Sequence, residues 1–349
     1  MKAPGFWMRD GLAAGMLVPL SCITTAITAH RMARGGWHAP VPVICCGNAS
    51  VGGAGKTTLA LDLAHRLTAR GAAVHILLRG YRGSARGPRR VMRGDPADVT
   101  GDEAVLLAEA APTWTGADRA ASARSAIAAG AEVLLMDDGL QNPSLEKTMS
   151  LLVIDGATGF GNGRVMPSGP LREPVKAAAA RSRAAVLIGP DTSGALARLP
   201  PDLAVLRADL EQGVEIDLVK GHRVVAFAGI GFPGKFFDSL ERAGVVLVDR
   251  EAFADHHPFT PGDLTRLAAK AHALDAILVT TPKDAVRLPA GMLATPGPGR
   301  GTSMETRTEP RIHVVGVHLV WREEAAIDAL LDELLSASSS SPRRGASVA

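Results

Sequence analysis

Apolar residues along the chain fall into short continuous runs, separated by stretches in which leucine returns every fourth position. Residues 41–46 form one such run, bounded by prolines and by Gly47, and predict a buried strand. The period then changes. Leu59, Leu63 and Leu67 line one face and Gly71 follows, so residues 56–70 predict a helix closed by a C-terminal glycine. Further strands are predicted at 73–78, 133–136, 151–154 and 185–188. Strands alternating with helices imply a doubly wound, mostly parallel α/β sheet. Past a polar patch at 211–221 the alternation resumes, with a strand at 224–228, a helix near 236–243 and strands at 276–280 and 313–320. These read as a second, smaller α/β lobe. Residues 289–311 turn to Gly, Pro, Thr and Arg and predict a surface loop, and the Ser-rich tail from Ser336 predicts disorder.

One segment fits neither pattern. Residues 11–29 carry no charge, with Arg9 before them and Arg31 and Arg34 after. Ser21, Thr24, Thr25, Thr28 and Pro19 dilute the apolarity that a membrane-spanning helix needs. A helix lying in a membrane interface is the favoured reading, and a span or a buried core helix are the alternatives. A signal peptide fits poorly, because a nucleotide-binding motif begins shortly afterwards.

Composition narrows the picture only a little. With 46% hydrophobic residues among 349, the chain can bury a core of one large or two ordinary domains. Lys and Arg total 38 against 35 Asp and Glu, too even for a nucleic-acid footprint but compatible with an anionic substrate. Cys22, Cys45 and Cys46 form neither a disulfide framework nor a zinc spacing, which fits a reducing cytoplasm.

The strongest chemical signal is Ser50-Val51-Gly52-Gly53-Ala54-Gly55-Lys56-Thr57, set between a predicted strand and a predicted helix. Glycines there let backbone N–H groups approach the phosphates of ATP. Lys56 reaches the β- and γ-phosphates, and the Thr57 hydroxyl can ligate Mg²⁺. The strand at 133–136 ends in Asp137-Asp138-Gly139, a carboxylate pair placed to organise that metal; the sequence does not say which aspartate does so. Gly229-Ile230-Gly231-Phe232-Pro233-Gly234 matches a dinucleotide fingerprint literally, but no acidic residue falls at the ribose distance. The basic run Arg79, Arg82, Arg86, Arg89, Arg90 and Arg93 is either a solvated loop or a contact for a substrate phosphate.

Further clusters are Arg79-Gly80-Tyr81, Gly101-Asp102-Glu103, Asp137-Asp138-Gly139-Leu140-Gln141, Gly161-Asn162-Gly163, and Pro167 to Pro174 with Leu171-Arg172-Glu173. Asp255-His256-His257 and Thr281-Pro282-Lys283-Asp284 follow. Together with the phosphate loop they resemble the tetraacyldisaccharide 4'-kinase family of lipid A synthesis, in order from about Gly47 to Leu288. The chain departs from the family pattern at Leu140 and Asn142, at Pro282 and at Leu78.

The resemblance implies transfer of the ATP γ-phosphoryl group, with Mg²⁺, to the 4'-hydroxyl of a tetraacyldisaccharide 1-phosphate, giving lipid IVA. It implies Asp102 as the catalytic base, His256 as its assistant and Lys56 as the catalytic lysine. Arg79, Tyr81, Glu103, Gln141, Asn162 and Arg172 are the expected substrate contacts. Such an enzyme is expected peripherally or monotopically at the cytoplasmic face of the inner membrane, with no nucleic-acid or protein partner. The expected units are a membrane-associated helix over 1–36, a P-loop NTPase-like kinase domain over 37–218, a smaller lobe over 219–335 and a disordered tail over 336–349. Two rivals stay open. A ParA-like switch ATPase is one, although the second lysine usual early in such loops is absent between Gly47 and Gly55. A soluble small-molecule kinase is the other.

Overall fold

A computed structural model describes residues 4–80, 83, 87–294 and 311–340. The chain opens with two short helices, α1 (Leu12–Met16) and α2 (Val18–Met32), and then enters the first strand, β1 (Val43–Gly47). Next come α3 (Lys56–Ala69), β2 (Val74–Leu78), β3 (Arg89–Arg90), α4 (Ala97–Thr100), α5 (Asp102–Ala108), β4 (Thr113–Thr115) and α6 (Arg119–Ala128). The chain continues through β5 (Val133–Asp137), β6 (Met149–Asp155), α7 (Val175–Ala179), β7 (Ala184–Ile188) and β8 (Ala204–Gln212). A second group holds β9 (Arg223–Ala228), α8 (Pro233–Arg242), β10 (Val246–Ala252), α9 (Pro261–Ala273), β11 (Ile277–Thr280), α10 (Pro282–Ala285) and β12 (Ile312–Val314). The described chain ends with β13 (Val317–Trp321) and α11 (Glu324–Ser340).

The strands form a nine-stranded sheet, ordered β13-β8-β7-β6-β1-β5-β2-β4-β3, and a four-stranded sheet, ordered β10-β9-β11-β12. The larger sheet is parallel except where β13 meets β8 and β3 meets β4 at its edges. Alternation places Ile44 and Cys46 of β1 against α3, while Val43 and Cys45 face the opposite core beneath α6 and α7. Every residue of β1, β2, β5 and β7 is buried. Helices on both faces explain why these strands read as continuous apolar runs rather than alternating ones. The smaller sheet is likewise two-sided, with Phe236, Phe237 and Leu240 of α8 on one face and Leu264, Leu267 and Ala271 of α9 on the other.

Three expectations are corrected. The single strand expected over 313–320 is two strands, because the chain turns at Val315 and Gly316 and leaves the small sheet for the large one. Residues 317–340 therefore pack with the larger sheet and not with the 219–335 lobe. Ile327, Leu331 and Leu334 of α11 enter the core beside α3, and Arg66 and Arg70 of α3 pair with Asp328 at 3.0 and 2.7 Å. The helix continues to Ser340, past the expected start of the tail at 336, and 341–349 lie outside the described residues.

The apolar N-terminal segment is a pair of helices, not one. Pro19 lacks an N–H and is tolerated only in a first turn, so α2 restarts at Val18. Within the pair only Ala14 and Ser21 are buried, which excludes the core-helix reading. Leu12, Met16, Leu20, Ile23 and Ile27 are all more than half exposed. Among the described residues no helix is long and apolar enough to cross a membrane.

Candidate active site

The phosphate loop joins β1 to α3 at the C-terminal edge of the large sheet. Gly55 takes φ +85°, a left-handed backbone that favours glycine, and a Cβ there would also have to displace the tip of the Ile188 side chain. The first half of the loop is committed to structure. Val51 N–H donates to Pro170 O at 2.8 Å, and Ser50 bridges to Leu171. The Val51 N–H is therefore taken, whereas the bonds that make the bridge belong to Ala49 and Val51 and not to Ser50. Among the described residues the N–H groups of Gly53, Ala54 and Gly55 donate to no protein acceptor and stand ready for an anion. Lys56 Nζ donates to Asn48 Oδ1 at 3.0 Å and lies 3.7 Å from Asp138 Oδ1.

The two aspartates that end β5 have different duties. Thr57 Oγ1 donates to Asp137 Oδ2 at 3.0 Å, while Asp137 Oδ1 is buried with no partner. Burial, followed by the nearby Glu103 charge, pushes the Asp137 carboxyl up to about 7. A buried oxygen left unsatisfied beside a hydroxyl fits a divalent cation, whose charge would replace the missing partner. Asp138 is spoken for: Arg172 grips it through two bonds of 2.7 and 3.0 Å. Burial would raise that carboxyl, but Lys56 and Arg172 outweigh it and hold it below its ordinary value. Of the three expected metal residues, Thr57 and Asp137 therefore fit a cation, and Asp138 serves the ion-pair network instead.

A second cluster forms where the two sheets face each other. Gly101 ends α4 and precedes α5, so Asp102 begins that helix rather than capping it. Its Oδ1 accepts from Glu103 N–H at 2.9 Å, and its Oδ2 lies 2.6 Å from His256 Nδ1. Burial opposes ionisation of Asp102, yet the His256 hydrogen bond and the Lys283 charge prevail and hold its carboxyl below the usual range. Beside it Lys283 donates to Glu103 at 2.9 Å. Burial alone would lower the Lys283 ammonium, but the Glu103 and Asp102 carboxylates hold it above its ordinary value.

The loop carrying His256 is fixed from behind. His256 has φ +59°, and its N–H donates to Gly229 O at 2.9 Å. Asp284 accepts from Gly229 N–H at 2.9 Å and from Arg287, which also binds His257 O at 3.0 Å. Thr281 caps α10 and donates to Asp284 Oδ2 at 2.6 Å. The backbone accommodates the departure at Pro282, because Pro282 opens the helix where an N–H has no intrahelical partner. Gly229, at the head of the Gly229-Ile230-Gly231 run, thus supports the histidine loop.

The remaining expected residues divide. Gln141 donates to Asn48 O at 2.9 Å and to Glu173 Oε1 at 2.7 Å, and Glu173, 2% exposed, is held by Arg181. Gln141 and Arg172 therefore belong to a network that buttresses Asp138 and the phosphate loop. Asn162 spends its side chain internally, donating to Phe6 O at 3.1 Å and Ser168 O at 2.9 Å while accepting from Arg164 N–H at 3.0 Å. Both amide hydrogens of Asn162 are thus used within the protein. Arg79 is exposed just beyond β2, and Tyr81 lies outside the described residues. Asn48, Glu173, Lys283 and Arg287 were not singled out from sequence, although Glu173 and Lys283 lie inside motifs that were.

The arrangement offers an anion cradle, a cation site and a hydrogen-bonded Asp–His pair, linked through Glu103, which follows Asp102 and whose charge acts on Asp137. Comparison with known proteins agrees with this inventory. Residues 13–336 match the family described as tetraacyldisaccharide-1-P 4'-kinase. A tetraacyldisaccharide 4'-kinase of Gluconacetobacter diazotrophicus is 52% identical over 344 residues, covering 97% of this chain and 100% of the relative. One from Gluconobacter oxydans is 49% identical over 341 residues, covering 97% and 99%. A crystal structure of LpxK from Aquifex aeolicus in complex with ATP shares the fold, with a TM-score of 0.72 at 24% identity over 93% of this chain and 99% of that one. The chain belongs to the tetraacyldisaccharide-1-P 4'-kinase family.

Proposed function

We propose that the protein transfers the γ-phosphoryl group of ATP to the 4'-hydroxyl of a tetraacyldisaccharide 1-phosphate, a step of lipid A biosynthesis that gives lipid IVA. The observation that carries this reading is the ionised Asp102, held 2.6 Å from His256 at the start of the helix whose Glu103 charge reaches Asp137 beside the phosphate loop. A carboxylate kept ionised by its neighbours can accept the acceptor hydroxyl's proton as oxygen attacks phosphorus. Lys56 and the loop N–H groups hold the β- and γ-phosphates, and Arg172 holds Asp138 beside them. Thr57 and Asp137 would hold Mg²⁺, which when bound offsets phosphate charge.

The direct test incubates the purified protein with labelled ATP, Mg²⁺ and the disaccharide 1-phosphate in detergent micelles. A bisphosphorylated lipid is the expected product. ATP hydrolysis with no lipid product would favour the switch-ATPase reading, and phosphorylation of soluble alcohols alone would favour a soluble kinase.

The acceptor dictates where this happens. Each buried CH₂ retains an acyl chain in a bilayer by about 0.8 kcal/mol, so four chains hold the substrate there and the enzyme must come to it. The exposed Leu12, Met16, Leu20, Ile23 and Ile27 supply the apolar surface for peripheral docking at the cytoplasmic face of the inner membrane, with Arg9, Arg31 and Arg34 nearby for anionic headgroups. An exposed Leu or Ile buried on docking contributes about 1–2 kcal/mol. Leu12→Asn combined with Leu20→Asn and Ile23→Asn is therefore expected to cut recovery on anionic vesicles and to raise the KM for lipid at least about tenfold. The KM for ATP should hold. Unchanged vesicle flotation by this triple variant would place docking elsewhere on the molecule.

A further inference from the structure

The Gly161-Asn162-Gly163 motif and the turn that follows it touch neither Lys56 nor Asp102, yet they lie between two parts of the molecule that matter. On one side the turn is bonded to the N-terminal helices. Ser21 Oγ donates to Val165 O at 2.7 Å and accepts from Ser168 N–H at 3.1 Å, and Ser168 Oγ donates to Ala14 O at 2.5 Å. Trp7 Nε1 donates to Pro167 O at 3.0 Å, and Asn162 N–H donates to Trp7 O at 2.8 Å. Gly161 sits so close to Trp7 that a Cβ would stand 2.5 Å from its carbonyl oxygen.

On its other side the same turn grips the phosphate loop. Pro170 O accepts from Val51 N–H at 2.8 Å, Ala49 O accepts from Arg172 N–H at 2.7 Å, and Leu171 bridges to Ser50. Arg172 then reaches Asp138 with its side chain. We propose that residues 161–172 form a strap through which the N-terminal helices set the phosphate loop and Arg172, with Ser21, Ser168 and Asn162 as its positioning residues.

Burial supports this assignment. Ser168 is 0% and Ser21 7% exposed, so each hydroxyl is a polar group removed from water whose partners lie in the strap or the helix pair. On α1 and α2 Leu12, Met16, Leu20, Ile23 and Ile27 are exposed and Val18 is half-buried, while the buried residues are Ala14, whose carbonyl accepts, and Ser21, whose hydroxyl joins strap to helix. The outward face serves docking and the inward face serves the strap, so the two can be altered separately. Displacing the helices moves the carbonyls and hydroxyls that fix 162–168, and the connected 170–172 segment moves the entrance of the phosphate loop with it. The strap thereby makes competence for ATP chemistry depend on the seating of the helices. The chemistry it governs is the phosphoryl transfer proposed above.

The test uses full-length Ser21→Ala, Ser168→Ala and Ser21→Thr proteins. Losing a buried hydrogen bond that fixes the loop is expected to lower kcat about tenfold and to weaken binding of an ATP analogue, measured without acceptor, several-fold. Vesicle recovery and the KM for lipid should stay at wild-type values, and Ser21→Thr, which keeps the hydroxyl, should recover most of the loss. Analogue binding is independent of acceptor identity, so its shift supports the strap even if the lipid product assay fails. Wild-type kcat and analogue affinity in both alanine variants would overturn the proposal. So would a loss confined to vesicle binding, or a loss in Ser21→Ala that Ser21→Thr does not repair. Should Ser168→Ala fail to fold, the Ser21 pair decides alone.

Discussion

Lys56→Ala is expected to lower phosphoryl transfer roughly 10³-fold, the scale on which removing a preorganised charge from the transferring group is felt. The lysine reaches the cleft from the start of α3, 11% exposed, its ammonium shared between Asn48 Oδ1 and the Asp138 carboxylate. Both partners lie beside the phosphate loop, so the ammonium can exchange them for phosphate oxygens within the cleft. Alanine removes this charge and leaves Asp138 to Arg172 and the more remote charge of Arg119. It also removes a cation that opposes the upward push of burial on Asp137, which weakens the cation site as well. Lys56→Arg should not rescue, because a planar guanidinium cannot occupy the space of a compact ammonium at a tight turn. Steady-state transfer to lipid, with analogue affinity measured in parallel, checks this. Turnover within a fewfold of wild type would remove the phosphate loop from the chemistry.

Much of this architecture is legible in the sequence, for identifiable reasons. The central strands lie under helices on both faces, so β1, β5 and β7 appear as apolar runs, while β2 and β6 are interrupted only by His75 and Ser150. The phosphate loop is legible because its backbone admits few residues but glycine. Edges are harder. β10 lies at the rim of the small sheet and carries Asp249, Arg250 and Glu251, so it never forms an apolar run. β3 consists of two exposed arginines. The return of β13 to the large sheet depends on a turn at Val315 and Gly316 that no periodicity announces.

Site residues follow a similar rule. Glycines, the lysine and the aspartates that end strands are tied to local geometry and can be read locally. Asp102 and His256 meet across 154 residues of chain, so only the resemblance paired them. Buttressing residues such as Glu173 and Arg181 look like ordinary surface charges until burial and the Gln141 contact give them a purpose. The internal bonds of Asn162 are equally hidden from sequence, because Gly161 meets the backbone of Trp7 and Gly163 meets Arg198, both distant in the chain.

Asp102→Asn and Asp102→Ala are expected to lower kcat by roughly 10²-fold or more, as for loss of a general base, with ATP affinity nearly intact. Asparagine is the sharper test, since it keeps the shape and an oxygen for His256 but cannot take up a proton. Asp102 sits in a contest between burial, which raises its carboxyl, and the His256 hydrogen bond with the Lys283 charge, which lower it and prevail. The base must be ionised to act, so activity falls as pH drops through its pKa. In His256→Ala the hydrogen bond is gone and burial gains ground, which moves the carboxyl upward. The acid limb of the kcat profile should therefore shift to higher pH in that variant, and kcat on the alkaline side of the limb should fall less than in Asp102→Asn. Lys283→Ala should shift the limb in the same direction, because the charge it supplies also favours the carboxylate. A His256→Ala enzyme with an unmoved acid limb would show that some group other than Asp102 controls it. An Asp102→Asn enzyme that raised only the KM for ATP would assign this carboxylate to nucleotide binding.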